Sequence, residues 1–463
     1  MPPTDNATNR PKVLIVAAGL GGLALGMILQ KTDTPYEIFE RAPHIKPLGM
    51  HTMLKSGSIN SLTGVTAPLF KQLGIWDEFR SLSKLSTTLQ VITAPGLNPE
   101  FVVADVADVD DPVKRYGAEA RALPRPVLYD LLLRQIPKER IHFGKMILKT
   151  QQDDNGIIIA YGAYSVVRQN LYAQLQKESK LPASDATPLP FVNICLVGQT
   201  RPLTLEEFPD LAKLECQFKN ILAKDRPYAT LHFVIAQNTV CYSVLHYLVG
   251  ETTKDDDAFR DVQWDQEAAQ AMCNEVRDFP VDSGREKQLA LGDLLDWTPN
   301  KEFISKVMLE EMVFQTWSHG HTVLVGDACH KANPAGGSGA INALHDAAML
   351  ANYIHALPDH PTTKEIEASF LAYKNERMPW VEEAFSASLV FRHMVDSGWK
   401  AAIVRFLMKN MPKWMNGIVE RKSLSNRPQL YFLPLDTTPT EMRLAVQPSL
   451  HLKRPEQKHA VAE

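Results

Sequence analysis

The sequence predicts an α/β fold: a nucleotide-binding layer, interrupted by an inserted antiparallel sheet and followed by a C-terminal helical region. Three observations predict it. A strand, glycine turn, helix, strand and acid follow one another over Val13–Arg41. Segments with β-branched alternation dominate 189–312. An apolar strand running into a glycine-rich turn and a helix then returns from Thr322 to about Ala356.

The opening unit carries the organisation. Val13-Leu14-Ile15-Val16 is the continuous apolar run of a buried parallel strand. Ala17-Ala18-Gly19-Leu20-Gly21-Gly22 is a small-residue turn, and Leu23 to Leu29 has helical length with few β-branched residues. Tyr36-Glu37-Ile38-Phe39 is a second strand, and the acid Glu40 follows it, eighteen residues past Gly22. This is the Rossmann-like dinucleotide-binding βαβ unit. Helix N-terminal amides face a pyrophosphate, and Glu40 is placed to accept hydrogen bonds from a ribose. Gly19 and Gly22 fill the second and third glycine positions. The first holds Ala17, where a side chain strains or shifts the tight turn. The bland alternative is a glycine-rich turn of any α/β protein.

Composition narrows the class. At 463 residues the chain can hold two or three domains. Its 45% hydrophobic and 22% charged content is that of a globular protein. A net charge of −4 argues against nucleic acid as the main partner. Cys195, Cys216, Cys241, Cys273 and Cys329 are scattered, which suggests reduced thiols in an intracellular protein. The polar N-terminus lacks a signal-peptide core and no apolar run spans a bilayer, so a cytoplasmic location is expected.

In chain order, Val65–Phe79 reads as a helix ending near Gly74, with Trp76 anchoring the next turn. Residues 87–105 read as strands around Pro95-Gly96, and Val127–Gln135 as a helix. Ile141–Phe143, Met146–Leu148 and Ile157–Ala160 are strand candidates, and the last leads into a helix through Leu175. Residues 189–310 read as an antiparallel sheet inserted between parts of the first domain. Residues 365–395 and 399–419 read as helices, and the proline-rich tail from Pro434 as poorly ordered.

Three separated motifs now agree: the glycine turn with Glu40-Arg41-Ala42, Gly162–Arg168 (GAYSVVR), and Gly326–Ala347 (GDACHKANPAGGSGAINALHDA). Over about residues 12–395 the chain resembles the group A FAD-dependent monooxygenases, the p-hydroxybenzoate-hydroxylase-like family. Within it the look is that of fungal salicylate-hydroxylase-like enzymes and epoxidases of terpenoid pathways. The resemblance implies FAD as cofactor, with NADPH or NADH as transient reductant and oxygen transfer through a flavin C4a-hydroperoxide. It implies an FAD-binding domain in two parts, 10–188 and 313–395, a substrate-binding sheet over 189–312, and C-terminal helices and tail over 396–463. The residues expected at the cofactor are Gly19, Gly22, Glu40, Arg41, Gly49, Arg125, Gly326, Asp327, Gly339 and Ala340. Asp327 is expected at ribityl hydroxyls, and the helix from Ala340 at the electron-rich edge of the flavin. The family's Gly-Ala-Asp-Gly differs here, with Tyr161 at the aspartate position.

Tyr228 opens a strand of the inserted sheet and is the candidate for an acid/base contact with substrate. A packed sheet tyrosine is the alternative, as it is for the strand histidines His232 and His246. No histidine spacing suggests a metal site. The expected partners are a hydrophobic or aromatic small molecule and O2. Trp399 to Val419 mixes large apolar with basic residues, a composition that suits a membrane surface or a helix packed on the protein body. Other readings are a flavin halogenase or dehydrogenase on the same fold, and a non-catalytic homologue, which Ala17, Tyr161 and the short lead-in to Gly162 favour.

Overall fold

A computed structural model describes residues 10–43, 59–62, 64–93, 98–105, 113–114, 117–150, 156–162, 165–222, 226–234, 238–253, 266–285, 288–299, 304–333, 337–395, 399–412, 415, 418, 422 and 424–454. Its helices are α1 (Leu20–Leu29), α2 (Ala67–Leu73), α3 (Trp76–Leu82), α4 (Arg125–Leu133), α5 (Val166–Lys177), α6 (Gln266–Val276), α7 (Leu291–Asp296), α8 (Gly339–His355), α9 (Thr363–Val395) and α10 (Trp399–Lys409).

The first sheet has six strands in the order Ser318–His319, Thr322–Val325, Gly156–Tyr161, Lys12–Val16, Tyr36–Phe39 and Ile141–His142. All neighbours run parallel except the first pair. Its two strands Gly156–Tyr161 and Thr322–Val325 are covered on both faces, which is why they are apolar almost throughout, whereas burial alternates along Lys12–Val16 and Tyr36–Phe39. Helix α1 is buried along its whole length, matching its lack of any polar side chain. It packs between α4 and α8.

The second sheet has nine strands and departs from the expectation. Phe191–Gln199, Glu215–Leu222, Tyr228–Val234, Val240–Thr252 and Ser305–Glu310 are antiparallel neighbours. The sheet continues into Lys84–Thr93, which pairs parallel with Glu215–Leu222, and then into Arg121–Pro124 and Ile59–Leu62, with Asn98–Asp105 on Lys84–Thr93. It is therefore mixed, and four of its strands come from 59–124. The long crossover from Thr93 to Glu215 permits the parallel pairing, and the earlier strands cover an otherwise open edge.

Successive residues point to opposite faces of this sheet. Ile194, Leu196, Tyr242 and Val244 pack with Met272 and Val276 of α6 and with Leu294 of α7. Cys195, Val197, Leu245 and Tyr247 face the other way, where Val404 of α10 packs on them.

Three local expectations are corrected. Met146 and Leu148 are 59% and 69% exposed and form no strand, because no sheet edge receives them. Trp76 opens a helix of its own instead of anchoring a turn. The segment beyond Pro434 is packed instead of loose: Met442 and Ser449 are buried, and Ser449 Oγ donates to Glu376. Side chains take the place of a ladder there. Gln72 donates to the carbonyls of Leu430 and Pro434, and Asn352 to that of Gln429.

Candidate active site

The first turn keeps its glycine geometry although its first glycine is missing. Ala17 takes a left-handed φ of 89°. A residue with a Cβ loses roughly 1–2 kcal/mol in that region. The turn is held from the second strand: Ala17 N–H donates to the Phe39 carbonyl at 2.8 Å. Glu40 accepts from Ala18 N–H through one carboxylate oxygen and from Ala42 N–H through the other, both at 2.9 Å. Gly22 has no room for a side chain, since a Cβ there would lie 2.1 Å from the Ala17 carbonyl oxygen. Gly19 is extended and caps α1. Arg41 is exposed beside Glu40. Gly49 lies outside the described residues.

The three motifs meet at Gly21. A Cβ on Gly21 would lie 2.3 Å from the Tyr161 ring and 3.2 Å from the Ala343 carbonyl oxygen. The same edge of the ring approaches Gly326, whose Cβ position is 3.6 Å from it. Tyr161 thus fills the seam between the first and third turns. Its hydroxyl is buried with no hydrogen-bond partner among the described residues. Burial, then the charges of Asp346 and Cys329, push its phenol pKa up.

The third turn is tied down from beneath. Gly326 adopts a φ of 59°, and its N–H donates to Asp346 Oδ2 at 2.8 Å. His330 Nε2 shares that oxygen at 2.7 Å, and Arg377 Nε donates to Oδ1 at 2.6 Å. Burial alone would raise the Asp346 pKa, but the charges of His330 and Arg377 hold it below the usual carboxylate range. From the second motif, Arg168 donates to the carbonyls of Ala328 at 3.1 Å and Asp327 at 3.4 Å, and lies over the Phe314 ring. Arg125 opens α4 toward the same place. Burial lowers its pKa, and the facing charge of Asp327 opposes that shift. Gly337 has a φ of 64°, Gly339 and Ala340 form the first turn of α8, and the buried Ser338 Oγ finds no partner among the described residues. Asp346, Arg168 and Arg377 had no role assigned from the sequence. Asp346 could have been found as a lone acid inside an apolar helix, whereas Arg377 carries no local signal.

Tyr228 is not brought to this site. Its side chain lies on the α6 face of the second sheet, where its hydroxyl donates to Glu275 at 2.6 Å and its ring stacks on His246 at 4.6 Å. That face points away from the one joined to the third motif, where Asn333 donates to Asn193. One residue of register decides the matter, since adjacent strand residues face opposite ways.

Cys329, His330 and Asp346 bring their polar atoms within 4.8 Å of one another. Both Asp346 oxygens are already engaged, and burial raises the Cys329 thiol pKa, opposing a thiolate ligand. Asp346 pairs with His330 and Arg377 as a structural network, and the Cys329 thiol donates instead to the Gly326 carbonyl.

A cavity of about 650 Å³ lies beside the third motif. Phe191, Met312, Phe385 and Leu389 give it apolar walls, and Glu311 and Arg392 pair in it at 2.5 Å. Glu311 also accepts from Asn333 Nδ2 at 2.6 Å, which ties the cavity wall to the end of the motif.

Comparison with known proteins agrees with this architecture. An FAD binding domain family model matches residues 262–388. The chain is 23% identical over 450 residues to the FAD-dependent monooxygenase ctvC of Aspergillus terreus, covering 92% of this chain and 88% of that protein. It is 23% identical over 412 residues to the FAD-dependent monooxygenase paxM of Penicillium paxilli, covering 84% and 80%. Klebsiella pneumoniae HpxO, solved with FAD and uric acid, shares the fold with a TM-score of 0.65 at 15% identity, covering 90% of this chain and 97% of that one. Over most of its length the chain is similar to FAD-dependent monooxygenases, oxidoreductases whose cofactor is FAD. The residues present fit that cofactor. The glycine cradle admits no side chain at Gly22, and the orphaned Ser338 hydroxyl is a ready partner for a bound group.

Proposed function

We propose that the chain is an FAD-dependent, NAD(P)H-using monooxygenase that hydroxylates or epoxidises a hydrophobic or aromatic small molecule. The meeting of all three motifs at Gly21 carries this reading. Glu40 would hold a ribose, the amides of the first turn of α1 a pyrophosphate, and Asp327 with Arg125 the ribityl and ring region. When bound, FAD supplies hydride acceptance from NADPH or NADH and activation of O2. The chain's own residues orient the two reactants and exclude water. The cavity beside Asn333 is the proposed substrate site. Its volume suits a drug-sized ligand, and its apolar walls suit a hydrophobic one. The FAD part of the fold is 10–188 with 313–395, and the substrate part is 189–312 aided by strands from 59–124.

The reading of a non-catalytic homologue rests on Ala17, Tyr161 and the short lead-in to Gly162, and the first two do not disrupt the site. Ala17 keeps the turn, and Tyr161 fills the seam between turns. The test is NADPH oxidation by the purified protein in air, with a panel of apolar substrates and ¹⁸O2. Substrate-stimulated oxidation with one labelled oxygen in the product supports the proposal. A protein that binds FAD but never incorporates label, with NADPH or NADH, would overturn it.

A further inference from the structure

Helix α10 has two unlike faces. Inward, Ala401 is buried and Val404 packs on the second sheet. Outward, Trp399, Ile403, Phe406 and Leu407 are 71%, 49%, 65% and 59% exposed. At 3.6 residues per turn these four fall within an arc of about 100°. Met415 and Ile418, just beyond the helix, are exposed too. Among the described residues no other helix exposes more than two large apolar side chains. Single exposed apolar residues need no explanation, but a contiguous stripe does.

The charge around the stripe identifies its partner. From Trp399 to Met415 the sequence carries Lys400, Arg405, Lys409 and Lys413 and no acidic residue, within a chain of net charge −4. A second copy of this chain would suit the stripe poorly, because a two-fold contact sets each patch against itself and the basic residues against one another. A convex apolar ridge with Trp and Phe, flanked by cations, is the form of a helix that lies in a membrane interface. No described helix is long and apolar enough to cross a bilayer.

We propose that α10 is a peripheral docking helix that seats its apolar arc among the headgroups of an anionic phospholipid surface. The basic side chains then meet lipid phosphates. The docking stands apart from the flavin reading. Only its use rests on that reading: the same helix covers the inner face of the second sheet, so docking would turn this face toward the phase where an apolar substrate dissolves.

The experiment is flotation of the purified full chain with vesicles of phosphatidylcholine alone or mixed with phosphatidylserine. The expected result is flotation with the serine-containing vesicles, weakening as salt rises. Phe406→Asp with Leu407→Asp should lower the bound fraction at least about tenfold. Lys409→Glu should weaken binding about fivefold or more, since each basic residue near such a surface counts at that level. All three side chains are exposed, so thermal denaturation and FAD retention should stay at the parent values, which separates lost docking from misfolding. Absence of flotation with both vesicle types would overturn the proposal. So would unchanged flotation of the double variant, or a dimer in light scattering that the double variant dissolves while vesicles remain unbound.

Discussion

The first and third turns do the same job by different means. At Ala17 the chain accepts a strained residue, and one carboxylate, Glu40, holds the turn from outside through two amides. At Gly326 the left-handed residue is a glycine, and a buried network of Asp346, His330 and Arg377 holds the turn from below. The first turn is lightly tied and ends in an acid that must also serve a ligand. The third is rigid before any ligand arrives. The contrast teaches that a glycine fingerprint can lose its first glycine when the neighbouring strand supplies the hydrogen bonds.

Substitutions can break the contrast from the rigid side first. Asp346→Ala leaves the Arg377 guanidinium buried and uncompensated, and removing one partner of a buried pair costs about 3–5 kcal/mol. Chemical denaturation should show a loss of that size, with flavin released early in the transition. On the lightly tied side, Gly22→Ala pushes a methyl to within 2.1 Å of the Ala17 carbonyl oxygen. The turn must open, and FAD affinity measured by fluorescence quenching should fall at least about tenfold, with a smaller change in stability.

A pH series sharpens the account of α8. Burial, then the charge of Arg377, lowers the His345 pKa to about 3, so this histidine is held neutral. A depressed folded pKa gives stability that is present above the unfolded value, near 6.5, and is lost as pH falls from there toward about 3. Denaturation midpoints should therefore decline below pH about 6.5, and His345→Gln should flatten that decline. The smallest effect is expected at the strained residue. Ala17→Gly relieves the left-handed penalty but loosens the unfolded chain, for a net gain of about 0.5–1 kcal/mol. A midpoint unchanged or lowered in that variant would mean that Ala17 is not strained.

The parts legible in the sequence were those whose signal is local. Continuous apolar runs gave the parallel strands, and the glycines with Glu40 and Asp327 marked both turns, because such turns need particular residues at particular positions. Residues 87–105 read as strands, but nothing in Lys84–Thr93 announces a parallel partner more than a hundred residues away. Tyr228 illustrates a second limit. Alternation reveals that a strand has two faces, not which one looks toward the cofactor. Arg377 illustrates a third, since its worth lies in the buried carboxylate it meets from another helix.

The most direct measurement is the visible spectrum of the purified protein beside that of the Glu40→Ala, Asp327→Ala double variant, after removal of free FAD. Bound oxidised flavin is expected in the parent, with a colourless variant whose far-UV circular dichroism spectrum is unaltered. Equal flavin in both would contradict the assignment of the two turns as one FAD site.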